Sequence, residues 1–256
     1  MGKLIRMDLY RMLKAKSFMV CLIIAFVLAL ANMPLAKLLF ALARSLSPEI
    51  NETFMAQVSL SAILSEPFPM ISLMLLLISL CFFFYADMEN GYIKNIAGQM
   101  PMKGFTVLSK FMAAIVHNVI FAAAGIIGNL IGNVIVRRII PDVNVLESIR
   151  VLVLQLMLVQ SLCAILLLAV TTLRSKSLGM ILAVLFGMEL TSLIYSGINE
   201  GLKPLFGQET NIIKYMPDFV LSEKPLDTVK ALIVSIVTSA IFLLPAIRIF
   251  DRKDVK

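Results

Sequence analysis

The chain has few charged residues, one histidine and no tryptophan. Only 15% of its 256 residues are charged, whereas a soluble domain carries about 25%. Hydrophobic residues make up 60% of the chain, and its mean hydropathy is +0.95. This composition excludes an ordinary soluble domain and indicates an integral membrane protein.

The few cysteines and the single histidine argue against a disulfide framework and a zinc site. Cys21, Cys81 and Cys163 all fall within apolar stretches, which is typical of small buried residues and not of a disulfide framework. The single His117 leaves no cluster for zinc. Residues 98–104 read GQMPMKG, but the lysine precedes the second glycine and a proline removes an amide donor, so they do not match a phosphate-binding loop. We expect no metal, cofactor or nucleotide on this chain.

Six long apolar stretches fill most of the sequence. They run approximately over 18–40, 67–85, 105–136, 149–173, 178–198 and 229–250. A bilayer core needs about 20 mostly apolar residues for each spanning helix. The stretches are continuous rather than alternating, which favours helices over a barrel. The sequence predicts an all-α membrane protein, with one transmembrane domain over 1–256 and six spans.

The formal net charge of +7 is better explained by membrane topology than by nucleic-acid binding. A dense basic cluster precedes the first stretch, and the positive-inside rule places such clusters in the cytosol. We therefore expect both termini inside. The bias is moderate, since Arg137 and Arg138 fall on the outer side. The first apolar run continues past Ala29-Leu30-Ala31 to about Leu42, which is too long for a cleaved signal peptide.

Residues 3–17 have the pattern of an amphipathic helix. Apolar residues recur at helical spacing, namely Ile5, Leu9, Met12 and Leu13. The opposite face carries the cations Lys3, Arg11 and Lys14. A basic amphipathic helix of this kind lies in the membrane interface, close to anionic head groups. The alternative is a plain basic flank that only sets topology.

The longest cytosolic connection lies between the second and third spans, over 87–110. Residues 92–97 could form one or two helical turns, which Gly98 can end and Pro101 stops from continuing. Its length exceeds that of a simple turn, so we favour a docking element over an ordinary polar connector. The short loop 174–177 offers a second, smaller cytosolic contact.

Three polar residues within the apolar stretches are candidates for a pathway. Glu189 is the one acidic residue well inside a span, where a carboxylate costs roughly 2.5–3.5 kcal/mol. It could contact a substrate or proton, or form hydrogen bonds with Gln155 or Gln160. His117 and Asn118 could line a polar path, but we favour helix packing, to which such residues contribute about 1 kcal/mol or less each.

Two stripes of small residues occur at four-residue spacing. They are Ala124, Gly128 and Gly132 in the third span, and Gly179, Ala183 and Gly187 in the fifth. Small residues let helices approach closely. We expect these stripes to pack within the subunit rather than to form a dimer seam.

Four segments resemble parts of a known family. They are the N-terminal MDLYRMLKAKSF, the loop ENGYIKNIAGQMPMKGFTVLSK, the outer YMPDF and the ending IRIFDRKDVK. Together they resemble the permease subunits of type-2 ABC transporters. The similarity is to bacterial members associated with lantibiotic or bacteriocin immunity and with peptide or drug export. The loop is the most specific of the four segments.

The resemblance implies an export-type permease in a bacterial plasma membrane. Residues 3–17 would be the elbow helix, and 89–100 would hold the main coupling helix that docks on a separate ATPase. The docking residues would be Glu89, Asn90, Gly91, Tyr92, Ile93, Lys94, Asn95 and Ile96, with Arg174 and Lys176 near a second contact. Two permease subunits, identical or paralogous, would pair above two ATPase subunits. The chain itself would not be an enzyme, and its substrate would be a peptide or an amphipathic drug.

Two other functions remain as alternatives. One is a proton-coupled secondary transporter that uses Glu189 and His117 as proton carriers, although no inverted repeat is evident. The other is an intramembrane enzyme, which would need a paired acid or a second histidine at helical spacing. Neither of those features is present in the sequence.

Overall fold

A computed structural model describes residues 2–46, 58–68, 70–89, 102–136, 139–140, 144–206 and 212–252. This part of the chain is almost entirely helical. The helices are α1 (Gly2–Lys14), α2 (Lys16–Leu46), α3 (Leu60–Leu64), α4 (Met70–Glu89), α5 (Phe105–Val136), α6 (Val145–Leu173), α7 (Lys176–Gly187), α8 (Thr191–Phe206), α9 (Pro217–Ser222) and α10 (Thr228–Arg252). A 3-10 helix covers Ile212–Tyr215. Two short strands, β1 (Val58–Ser59) and β2 (Ile139–Ile140), pair in parallel with Val58 opposite Ile139.

Among the described residues, five helices are long and apolar enough to cross a membrane, namely α2, α4, α5, α6 and α10. The pair α7 and α8 would make a sixth crossing if it is counted as one broken span. In lipid such helices are favoured because all their backbone hydrogen bonds are internal. The chain is therefore a multi-pass membrane protein.

The second predicted span is displaced along the chain. Its helix begins at Met70 rather than Pro67 and continues to Glu89, so that Asp87 lies in its last turn. α4 is also the most enclosed of the five spans. Leu76, Leu80 and Phe84 are completely buried in the main core. Asp87 thus lies in the last turn of the most buried of the five spans.

The predicted continuous span over 178–198 is broken in the structure. α7 and α8 meet at an angle of 90°, and Glu189 between them has a left-handed φ of 55°. Left-handed φ is uncommon for residues other than glycine, and it cannot continue a right-handed helix. The break follows Gly187, whose added Cβ would lie 2.4 Å from the Cα of Met74 on α4.

The small-residue stripes face other helices of the same chain, as we expected. A Cβ on Gly128 would lie 2.9 Å from the Ala29 Cβ, and one on Gly132 would lie 2.5 Å from the Leu30 carbonyl oxygen. Both contacts are with α2. These glycines therefore let α5 and α2 approach closely inside one subunit.

The helix α1 is confirmed as a helix, and both apolar and polar contacts attach it to the bundle. Its buried residues are Leu4, Asp8 and Met12, and Leu9 is partly buried against the main core. Leu13 is exposed. The side chain of Asp8 bonds to α5.

Candidate functional site

Five helix ends meet at one end of the bundle, which we call the basal end. There α4 ends at Glu89, α5 begins at Phe105, α6 gives way to α7 at Lys176, and α10 ends at Arg252. α1 lies against the same end through Asp8 and Arg11. The predicted docking segment connects two of these ends, since it lies between α4 and α5.

Most of the predicted docking residues fall outside the described part of the chain. Asn90, Gly91, Tyr92, Ile93, Lys94, Asn95 and Ile96 all belong to the segment 90–101, which is not described. Glu89 is the last residue of α4 and is exposed. The structure thus locates the two anchors of the segment, which are Glu89 and the start of α5.

The second predicted contact, around Arg174 and Lys176, lies beside the first anchor. Lys176 Nζ is 3.9 Å from Glu89 Oε2 and 4.5 Å from the ring centroid of Phe82 on α4. Arg174 ends α6 with a left-handed φ of 48°, and the Ser175 hydroxyl accepts a hydrogen bond from the Leu178 amide to cap α7. The second predicted contact therefore lies next to Glu89, the one residue of the first that the structure describes.

The C-terminal helix is bonded to the other anchor of the docking segment. The Gly104 amide donates to Asp251 Oδ1 over 2.6 Å. An added Cβ on Gly104 would lie 2.7 Å from Ile247 Cγ2, so glycine permits this close approach. The contact ties the last turn of α10 to the chain just before α5.

A buried ionic cluster joins α1, α4 and α5 beneath this surface. Asp87 forms salt bridges with Arg11 and with Lys110, and Lys110 Nζ lies 2.9 Å from Asp87 Oδ2. Arg11 also lies 3.8 Å from Asp8 Oδ1. Asp8, Asp87 and Lys110 are each buried. Such a cluster is stable only when its members satisfy one another, because desolvation of each ion is expensive.

Lys110 has the most complete set of partners in the cluster. Besides Asp87, its ammonium donates to the carbonyl oxygens of Phe83 at 3.0 Å and Phe84 at 3.2 Å. It also lies 4.7 Å from the ring centroid of Phe83, within the range of a cation–π interaction. A positive charge near the C-terminal end of α4 is favourable to that helix. Lys110 therefore fixes the start of α5 onto the end of α4.

Asp8 connects α1 to the same place. Ser109 Oγ donates to Asp8 Oδ2 over 2.5 Å. Burial raises the pKa of the Asp8 carboxyl above its ordinary value, while the hydrogen bond from Ser109 and the charge of Lys110 oppose that rise. These contacts connect α1, α4 and α5 close to both ends of the predicted docking segment.

The linear pattern of the sequence does not mark this cluster as a site. Arg11 was placed on the cationic face of the amphipathic helix, and Asp8, Asp87 and Lys110 were not singled out. One signal was available, because Lys110 lies within an apolar stretch and a buried lysine needs a partner. The identity of that partner depends on how the helices pack, which the linear pattern does not specify.

His117 and Asn118 lie in the packed interior. His117 Nε2 is 3.1 Å from Ser79 Oγ, and the imidazole stacks on Phe121 with a centroid distance of 4.6 Å. Asn118 donates to Gln160 Oε1 over 2.9 Å. His117 also contacts α2, with the Phe18 ring centroid 5.2 Å from its own, and Asn118 contacts Cys163 of α6. Their contacts are those of helix packing.

Glu189 is placed differently from our expectation. It lies in the break between α7 and α8 and is exposed, with its carbonyl oxygen accepting from Ser192 Oγ at 2.9 Å. The two glutamines named as partners bond elsewhere: Gln155 donates to the Ser65 carbonyl and Gln160 to the Phe111 carbonyl, each over 2.8 Å. Glu189 is therefore exposed in the break and is not hydrogen-bonded to either of these glutamines.

The buried carboxylate of Asp218 bonds to the helix that follows the break. Asp218, in the first turn of α9, bonds to the Thr191 hydroxyl, and the Tyr195 hydroxyl lies 3.5 Å from its other oxygen. Burial raises the pKa of the Asp218 carboxyl, and the hydrogen bond from Thr191 opposes that rise. Asp218 belongs to the YMPDF segment, so this segment holds α9 against α8.

Within the described ranges, no three His, Cys, Asp or Glu side chains are grouped so that they could hold a metal ion. No family model matches the chain, and no curated protein matches it significantly.

Proposed function

We propose that the chain is the transmembrane permease subunit of an ATP-driven exporter of the type-2 ABC class. In this proposal six crossings, with the broken pair α7 and α8 counted as one, place both termini in the cytosol of a bacterial cell. α1 is the elbow helix, and a second permease subunit, identical or paralogous, completes the pathway. Two copies of a separate ATPase bind below.

The proposal is supported mainly by the salt bridges that connect the helices at the basal end. Both anchors of segment 90–101 are bonded to other helices: α4 through Asp87 to Arg11, and α5 through Lys110 to Asp87. A force applied to that segment would therefore move α1, α4 and α5 together. The adjacent ion pair of Glu89 and Lys176 extends the connection to α7.

The proposed mechanism follows from these bonds. ATP-driven closure of the partner subunits would push on residues 92–97, and the buried ionic cluster would transmit the displacement to α4 and α5. The close contact of Gly187 with Met74 would pass it from α4 to α7. The break at Glu189 then separates α7 from α8, so the outer part of the chain need not follow rigidly. A peptide or an amphipathic drug is the substrate class that fits an apolar pathway.

The test replaces residues 92–97 with a Gly-Ser sequence of equal length. We expect the variant to insert and remain helical, but to lose co-purification with the ATPase and ATP-dependent export. The matched control replaces residues 207–211 in the same way, because our topology places that segment outside. The docking assignment is wrong if the 92–97 variant still assembles and transports normally.

The proton-coupled alternative lacks a supporting contact. His117 is enclosed with Ser79 and Phe121, whereas Glu189 is exposed at the break. No bond between these two residues occurs in the described part of the chain. Transport driven by a pH gradient in vesicles that contain no ATPase would favour this alternative over our proposal.

A further inference from the structure

A cleft lies between α1 and α4 at the basal end. Its volume is about 330 Å³, at the lower limit of the roughly 300–1,000 Å³ typical of ligand sites. Its cationic, hydroxyl-bearing and aromatic lining residues are Tyr10, Arg11, Lys14, Ser17, Phe82 and Phe83. The cleft thus combines two cationic side chains, a hydroxyl group and aromatic walls.

The charge of this cleft favours an anion. Arg11 and Lys14 contribute positive charge, and Asp87 is the one carboxylate among the described lining residues. Asp87 is paired both with Arg11 and with Lys110, which lies 2.9 Å from it behind the cleft. The three cations Arg11, Lys14 and Lys110 exceed the two carboxylates Asp87 and Asp8, so the local charge is positive whether or not Asp8 is ionised.

The surroundings of the cleft favour a lipid over a free anion. Tyr10 on α1 is 60% exposed, and Lys14 lies over its ring at 5.1 Å. Directly after Ser17, the spanning helix α2 presents Met19 and Val20, which are 47% and 55% exposed. A cationic cleft thus opens next to an apolar strip that lies in the bilayer. A phospholipid has the same arrangement of an anionic head and apolar chains.

We propose that this cleft binds the phosphate group of one anionic phospholipid. Lys14 and Arg11 contact the phosphate oxygens, Ser17 donates a hydrogen bond, and an acyl chain lies along the exposed face of α2. The lipid would join α1 to the end of α4 from outside, as the ionic cluster does from inside. This proposal needs only a membrane-spanning chain, and it is independent of the ATPase and of the transported substrate.

Native mass spectrometry of the full chain tests the proposal. The protein is purified in detergent, incubated with equal amounts of phosphatidylglycerol and phosphatidylcholine, and scored for retained lipid. We expect one retained phosphatidylglycerol per chain. The substitution Lys14→Gln should weaken retention about fivefold, the effect of one lysine near an anionic surface. The matched control Lys3→Gln removes an equal charge from an exposed position of the same helix and should change nothing.

Each other outcome contradicts the proposal. Equal losses for Lys14→Gln and Lys3→Gln would mean diffuse attraction by the whole helix. Equal retention of phosphatidylcholine would mean an apolar groove without anion selectivity. If inorganic phosphate displaced phosphatidylglycerol at comparable concentration, the cleft would be a site for a free anion. Unchanged melting temperatures for both variants will show that neither result comes from unfolding.

Discussion

Lys110 and Asp87 form a buried ion pair that joins the beginning of α5 to the end of α4. Their charged atoms lie 2.9 Å apart, and the two side chains are 5% and 7% exposed. The segment 90–101, proposed to contact the ATPase, lies between these two residues in the chain. The pair therefore lies where a displacement of that segment must enter the transmembrane helices.

Removing the carboxylate of Asp87 should strongly destabilise the protein. Asp87→Ala leaves Arg11 and Lys110 without their shared partner, and loss of one member of a buried pair costs about 3–5 kcal/mol. The free energy of unfolding, measured by denaturant titration in detergent, will show the change. The control is Lys224→Ala, which removes the exposed ion pair with Glu66 and should cost at most about 1 kcal/mol. Equal effects of the two variants would contradict the role of the cluster.

The close approach of α7 to α4 should be sensitive to a single methyl group. In Gly187→Ala the new Cβ would meet the Met74 Cα at 2.4 Å, and overpacking of this kind costs about 1–3 kcal/mol. In the control Gly197→Ala, the new Cβ meets nothing within 4 Å. That control should gain up to about 1 kcal/mol from helix propensity. Thermal melting of both variants checks the sign of each change, and a stabilised Gly187→Ala would refute the packing.

Asp8 should make stability depend on pH. It faces Arg11 on α1, Asp87 on α4, and Ser109 and Lys110 on α5, and its folded pKa is raised chiefly by burial. A raised carboxyl pKa contributes stability below the unfolded value of about 3.9, and this contribution is lost as the pH rises through the folded value. Asp8→Asn removes this dependence.

The pH prediction is checked by melting temperatures between pH 4 and pH 8. The stability of Asp8→Asn relative to the unmodified protein should increase as the pH rises. Ser109→Ala serves as the control because it retains the titrating carboxyl and so retains the pH dependence. A constant difference between Asp8→Asn and the unmodified protein across the range would show that Asp8 titrates normally.

The bonds of Asp218 should hold α9 against α8. Asp218→Ala removes the bond to Thr191 and the longer contact with Tyr195, and a charged hydrogen bond contributes about 1.5–3 kcal/mol. Amide hydrogen exchange should accelerate in α9 and in the first turns of α8, while α4 stays protected. Asp218→Asn keeps an acceptor oxygen and should show a smaller effect. If amide hydrogen exchange in α9 and α8 were unchanged in Asp218→Ala, the carboxylate of Asp218 would not hold these helices together.

The sequence predicted the membrane helices well because their length and hydropathy depend only on local composition. The apolar run that ends at Val136 can be recognised without knowing what it packs against. Accordingly, α5 has the predicted bounds, Phe105–Val136. The break at Glu189 was missed, since residues 178–198 are apolar enough to read as one span. It lies next to the contact of Gly187 with Met74, a residue more than a hundred positions away in the chain, and a linear pattern does not show such a contact.

The candidate site was predictable only in part. Glu89 and Lys176 were named from the resemblance, and the structure brings them within 3.9 Å of each other. The cluster of Asp8, Arg11, Asp87 and Lys110 depends on three helices meeting, and a charged residue close to the end of a span is also typical of a topological flank. The buried contacts of Leu4 and Asp8 were not predicted for the same reason, because they depend on how α1 packs against the other helices.

Photo-crosslinking at position 92 is the most direct test of the claim that a separate ATPase contacts the loop between α4 and α5. A photoreactive phenylalanine analogue replaces Tyr92 in cells that natively produce the chain, and a second variant carries it at Tyr215, which is exposed and lies outside in our topology. We predict that position 92 crosslinks to a protein with a phosphate-binding loop and an ABC signature, and that position 215 does not. Export that continues while position 92 crosslinks to no such ATPase would contradict the account.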